Sequence, residues 1–90
     1  MKVKDYLAHN RVNLLEGLKV RTPKLVVGYI FSIANNIVYL NNVSGAAKDG
    51  RLFPQVINSR EDIYNWEVVS PDTPCNCDVL TQHKYIMLVN

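Results

Sequence analysis

Leu25-Val26-Val27-Gly28-Tyr29-Ile30-Phe31-Ser32-Ile33-Ala34-Asn35-Asn36-Ile37-Val38-Tyr39-Leu40 is the stretch that decides the fold. Both of its arms are dense in β-branched and aromatic side chains, which suit a pleated, half-buried surface. Between the arms stand two asparagines, which tolerate positive φ better than most residues. Asn35-Asn36 therefore reads as the tip of a hairpin joining Leu25–Ala34 to Ile37–Leu40. The two strands are then antiparallel neighbours. Their apolar residues run almost without a break, so both faces of the hairpin are expected to be covered. One short helix covers one face, which makes the second a candidate for burial against another chain.

Upstream, Val3, Tyr6, Leu7, Leu14, Leu15 and Leu18 fall near the helical period from residue 3 to about 16, interrupted by His9-Asn10-Arg11. One helix is expected there, with Asp5 at the positive end of its dipole and Gly17 at its C-terminal cap. Lys19-Val20-Arg21 follows as a short extended piece that Thr22-Pro23 breaks. Downstream, Asp49-Gly50 ends a polar, small-residue segment as a turn. Leu52–Ile57 reads as a strand, and Pro54, which lacks an amide hydrogen, restricts it to an edge or a bulge. Ser59–Asn65 reads as a turn or a single helical turn, Trp66–Val69 as a strand, Pro71–Asp78 as a loop, and Tyr85–Val89 as a final strand. The expected class is α+β in a single domain spanning 1–90, with one N-terminal helix packed on a twisted antiparallel sheet of about five strands.

Ninety residues make one thin-cored domain, because a chain of this size buries only about 60–65% of the surface its unfolded form exposes. The balance of 48% apolar and 20% charged residues is that of a chain that folds rather than one that stays disordered. A net charge of +2, spread along the chain, argues against a nucleic-acid-binding surface. The phosphates of a small ligand stay within reach, since one or two cations suffice for those. The N-terminus carries no apolar signal-peptide core, and no window is long and apolar enough to span a membrane. Without an export signal, Cys75 and Cys77 are expected as reduced thiols in the cytoplasm.

Set in order, the pieces are Glu16-Gly17-Leu18-Lys19-Val20-Arg21, the hydrophobic hairpin, Asp49-Gly50, and Ser59, Asp62, Ile63 leading into Asn65-Trp66-Glu67-Val68-Val69. This order resembles a family of small phage and bacterial domains that includes the Thoeris anti-defence proteins, which sequester nucleotide signals. The resemblance covers about residues 4–69 and leaves 70–90 as a C-terminal extension. Thr22-Pro23-Lys24 stands where the family often has a tryptophan, Gln55 where it has another aromatic, and Asn65 where it usually has aspartate. The resemblance implies a non-catalytic protein of phage origin, acting in the cytoplasm of the infected host cell. It would capture a small cyclic nucleotide or cyclic ADP-ribose-type ligand in a pocket between subunits of a homodimer or homotetramer. No cofactor, nucleic acid or membrane enters that reading. The alternative is a small inhibitor that caps a host defence or metabolic enzyme through the hairpin or the tail after Pro71. An enzyme that cleaves the same messenger is a third class.

Seven residues are candidates for ligand contact: Arg21, Lys24, Tyr29, Phe31, Asp49, Arg51 and Trp66. Arg21 ends a short strand, where its planar guanidinium can grip a phosphate with two hydrogen bonds, or else serve as a solvated surface charge or a partner for Asp5 or Glu16. Lys24 and Arg51 carry the same pair of readings, and Arg51 adds its place beside the Asp49-Gly50 turn. Tyr29 and Phe31 either line a cleft or fill core and interface. Trp66 either plugs the core beside its strand or offers a stacking face to a purine, which contributes about 1–3 kcal/mol per base. Asp62, three residues after Ser59, reads as a cap for backbone amides.

Other chemistry is weakly represented. Cys75-Asn76-Cys77-Asp78 with His83 is a poor zinc set, because structural zinc takes four ligands and usually spaces its cysteines by two or more residues. A disulfide within Cys-x-Cys would be strained. Neither a nucleophile elbow, nor a phosphate-cradling glycine loop, nor a zinc-protease helix motif is present.

Overall fold

The computed structural model describes residues 1–43 and 51–79, and runs α1 (Val3–Asn10), β1 (Lys19–Arg21), β2 (Val27–Ala34), β3 (Ile37–Asn41), β4 (Phe53–Val56), a 3₁₀ helix (Arg60–Asn65) and β5 (Glu67–Val68). The strands form one antiparallel sheet in the order β4-β3-β2-β1-β5. The α+β class and the five strands agree with the sequence. The turn at Asp49-Gly50 and the final strand at Tyr85–Val89 lie outside the described residues, as does His83.

The hairpin is where the side-chain pattern put it. Asn35 and Asn36 take φ of 48° and 62°, which is the pair of left-handed residues that a tight hairpin demands to match the strand twist. Ala34 then pairs with Ile37 and Ile33 with Val38. The register shifts between Ile30 and Ser32, so Phe31 is an extra residue that bends β2. On β3, Val38 and Leu40 are fully buried while Ile37 and Tyr39 are only half-buried. One face of the hairpin therefore meets the core of its own chain, and the other is left open by it.

The buried face gathers Val20, Ile30, Val38, Leu40 and Phe53 from the strands. Val3, Leu15, Ile63, Trp66 and Cys77 close it from the flanking segments. Helix α1 contributes less than expected and packs beside the 3₁₀ helix and β5. It also ends early, at Asn10 rather than near residue 16. Arg11 adopts the left-handed conformation (φ 53°, ψ 43°), its amide donates to Ala8 at 3.4 Å, and the Val12 amide donates to Leu7 at 3.1 Å. This pair of bonds stops a helix even though glycine is absent. Gly17 does have positive φ (93°), but it turns the chain into β1 and donates to Ile30 at 2.7 Å instead of capping α1.

Both sheet edges are managed. The N-terminal residues cover β5, with Val3 donating to Trp66 at 2.8 Å and Val68 to Met1 at 2.7 Å. On β4 the Ile57 amide points inward to Asn36 at 2.9 Å. Counting back by twos, Gln55 and Phe53 also face β3, and Pro54 faces outward. The missing amide hydrogen thus falls on the free edge, where no ladder bond is lost.

The segment after β5 is part of the fold. Asn76 brackets the start of β2: its Oδ1 accepts from Val27 at 2.6 Å, its amide donates to the Val27 carbonyl at 3.0 Å, and its Nδ2 donates to the Leu25 carbonyl at 3.2 Å. Cys77, next along, is fully buried and donates to Asn42 Oδ1 at 2.7 Å. Gly28 makes room for it. A Cβ added there would lie 3.1 Å from the Asn41 carbonyl and from Cys77 Sγ, and 3.2 Å from Leu40 Cβ. Gly28→Val is therefore expected to cost about 1–3 kcal/mol, read as a lower denaturant midpoint at unchanged m-value. A midpoint equal to that of the parent chain would show that the tail does not pack on β2.

Candidate functional site

A partly open cleft of about 320 Å³ lies where three segments distant in sequence converge. One wall is the turn Thr22-Pro23-Lys24 that follows β1. A second is the end of β4 with Ile57 and Asn58. The third is Asp62, Asn65 and Trp66 from the 3₁₀ segment.

Each wall has a local cause. The Leu25 amide donates to the Thr22 carbonyl at 2.9 Å, Thr22 donates to the Val26 carbonyl at 2.9 Å, and Val26 donates to Thr22 Oγ1 at 3.2 Å. Pro23 supplies the fixed φ that suits the second position of such a turn, and Leu25 completes the reversal at φ 67°. On the 3₁₀ side, Asp62 Oδ2 accepts from the amides of Asn58 at 2.8 Å and Ser59 at 3.2 Å. That carboxylate is the cap the Ser59–Asp62 spacing implies, and it fixes the corner joining β4 to the 3₁₀ helix. The Trp66 amide closes the helix on Ile63 at 3.0 Å.

Of the seven candidates, the structure brings Lys24 and Trp66 together on the cleft. Trp66 is 4% exposed, so most of its ring is core and a small part of its surface reaches the cleft wall. Arg21 pairs with Glu67 and is exposed. The pleat sets both on the face opposite Val20 and Val68, and neither lines the cleft. Tyr29 lies under the Lys19 ammonium, 5.3 Å from ring centroid to Nζ, and Lys19 is held there by a 2.8 Å bond to the Pro71 carbonyl. Phe31 is the half-buried bulge residue. Arg51 stacks its guanidinium 5.7 Å over the Phe53 ring. Asp49 lies outside the described residues.

The other eight cleft residues were not among the candidates, and of these Asn58 and Asn65 carry free-standing polar chemistry. Asn58 and Asn65 flank the capped turn, and a carboxamide on each side of a Ser-x-x-Asp corner is the one local signal that could have found them. Among the described residues, no group of three or more His, Cys, Asp or Glu is placed to hold a metal. No helix among them is long and apolar enough to cross a membrane. Comparison with protein-family models, curated proteins and solved structures finds no match for this chain.

The thiols sit apart from the cleft. Burial, reinforced by Cys75 and Asp78, pushes Cys77 from 9.0 up to about 12. Burial also raises Cys75, with the Lys19 ammonium opposing and Asp78 adding to the shift. Thiolate is the reactive form, so both are poor nucleophiles near neutral pH. The folded chain holds the Cys77 proton more tightly than the unfolded chain does. Its contribution to stability is therefore complete below about pH 9 and is lost as pH rises toward about 12. Unfolding free energies from denaturant titrations are expected to fall through that window with a slope of up to about 1.4 kcal/mol per pH unit. Cys77→Ala is expected to flatten the slope, and an identical slope in both proteins would assign it to other groups.

Proposed function

We propose that the cleft binds a small nucleotide-derived ligand and that the protein acts by holding this ligand intact, as an anti-defence sponge in the host cytoplasm. The observation that carries the reading is the meeting of Lys24, Asn58, Asn65 and part of Trp66 on one concave surface. An ammonium serves a phosphate, carboxamides serve the edge of a base, and the exposed margin of Trp66 adds a small apolar contact. Asp62, the one carboxylate among the cleft residues, is committed to two backbone amides, which favours capture over turnover. The order of motifs shared with the nucleotide-sequestering family supports the same conclusion. The competing reading, a cap for a host enzyme, draws on the tail after Pro71. Pro71, Asn76 and Cys77 are tied instead to Lys19, Val27 and Asn42 of the chain itself.

Self-association belongs to the proposal. Opposite Val38 and Leu40, the sheet presents two uncharged cross-strand rows, Ala34–Ile37–Val56 and Ser32–Tyr39–Pro54. Val56 is 81% exposed. A second copy is the expected cover.

Two measurements test these statements. The purified chain, incubated with cyclic mononucleotides, cyclic dinucleotides and cyclic ADP-ribose isomers, is expected to gain thermal stability with at least one of them and to release it chemically unchanged on heating. No shift across the panel would sink the sponge reading, and release of a cleaved product would replace it with an enzyme. Light-scattering mass is expected to exceed that of one chain and to drop to the monomer in Ala34→Glu, which sits on the uncharged face and outside the cleft. A monomeric parent chain would remove the second copy.

A further inference from the structure

Building on the reading of the cleft as a ligand site, we infer that its ligand is a singly charged anion of about one nucleotide's size, with Lys24 as the sole electrostatic anchor. Lys24 is the only cation among the described cleft residues, and its ammonium has no hydrogen-bond or ion-pair partner among the described residues. Asp62 supplies a negative charge on the facing wall. One phosphate placed on Lys24 is neutralised. A second phosphate in the same cleft would meet the Asp62 carboxylate, and like charges at close range disfavour binding. Arg21, which would have been the second cation, does not line the cleft.

Size points the same way. At about 320 Å³ the cleft sits at the lower end of the range of small-molecule sites, about 300–1,000 Å³. A nucleoside with one phosphate matches that volume better than a dinucleotide does.

The third observation concerns how Lys24 is held. Leu25 adopts φ 67°, a left-handed conformation that is an outlier for a bulky side chain, and it is 64% exposed. Packing therefore does not hold it there. Hydrogen bonds do: its amide to Thr22, its carbonyl from Asn76 Nδ2, and the Val26 amide on Thr22 Oγ1. With Pro23 before it and the clamped Leu25 after it, the backbone of Lys24 is pre-set at the cleft rim. Only the lysine side chain is left to order when a ligand binds, which favours affinity. Strained residues held by their surroundings cluster at ligand clamps.

Calorimetric titration of the full chain tests this, using adenosine, guanosine, their 3′,5′-cyclic monophosphates, a cyclic dinucleotide, a cyclic ADP-ribose isomer and inorganic phosphate. A cyclic mononucleotide is expected to bind at one site per chain, about tenfold or more tighter than its nucleoside and than either two-phosphate ligand. Lys24→Gln is expected to remove the advantage of the phosphate and Lys24→Arg to keep it, with added salt weakening the parent chain. Equal affinity for nucleoside and cyclic mononucleotide, or unchanged binding in Lys24→Gln, would overturn the anchor. Tighter binding of a two-phosphate ligand would overturn the inference and leave the cleft as a ligand site. Silence across the whole panel would remove both.

Discussion

The left-handed pair Asn35-Asn36 is the constraint on which the rest of the sheet depends. Two consecutive residues with positive φ join β2 to β3 with no slack, and that sets the register of every later pairing. Slipping β3 by one residue would turn Val38 and Leu40 out of the core and bring Ile37 and Tyr39 in. Each remaining strand is indexed from this hairpin. β4 reads its position from β3, β1 from β2, and β5 from β1. Asn76 then takes the Val27 backbone groups that lie past the end of β3, so even the tail is registered on the same frame.

The cleft is a product of that indexing. None of its walls is a site alone: a turn after β1, the end of β4, and the corner of a 3₁₀ helix. Asp62 is the piece that joins two of them, because it caps amides belonging to the segment that leaves β4. Its charge is spent on architecture, and its position nevertheless shapes the electrostatics of the opening. Lys24 is the mirror case, a side chain with no partner among the described residues on a backbone that is tightly tied.

Much of the fold was legible because its determinants are local. β-Branched and aromatic density with the Asn-Asn pair revealed the hairpin, Pro54 narrowed its strand to an edge or a bulge, and the Ser59–Asp62 spacing revealed a capped turn. What escaped was long-range or unusual in its residue type. An arginine ended α1 where a glycine is the usual sign, and a leucine took the left-handed place at residue 25. The docking of Asn76 and Cys77 on β2 has no local signature at all. For the site, β1 is three residues long, too short for its pattern to show which side of the sheet Arg21 occupies. Tyr29 and Arg51 looked available because their partners, Lys19 and Phe53, become neighbours only through pairing and packing. Lys24 was legible as an exposed cation in a turn, whereas the asparagines beside it were hidden by their resemblance to ordinary loop residues.

Pro54 has a consequence for how such a protein is used in a cell. A molecule that works by stoichiometric capture has to accumulate to the concentration of what it captures, and at high concentration an open strand edge is a template for runaway stacking of identical chains. Pro54 places its ring at the centre of that edge and withholds the donor a stacking strand would need. Under the proposed function, removing that donor weakens the template without disturbing the ladder to β3.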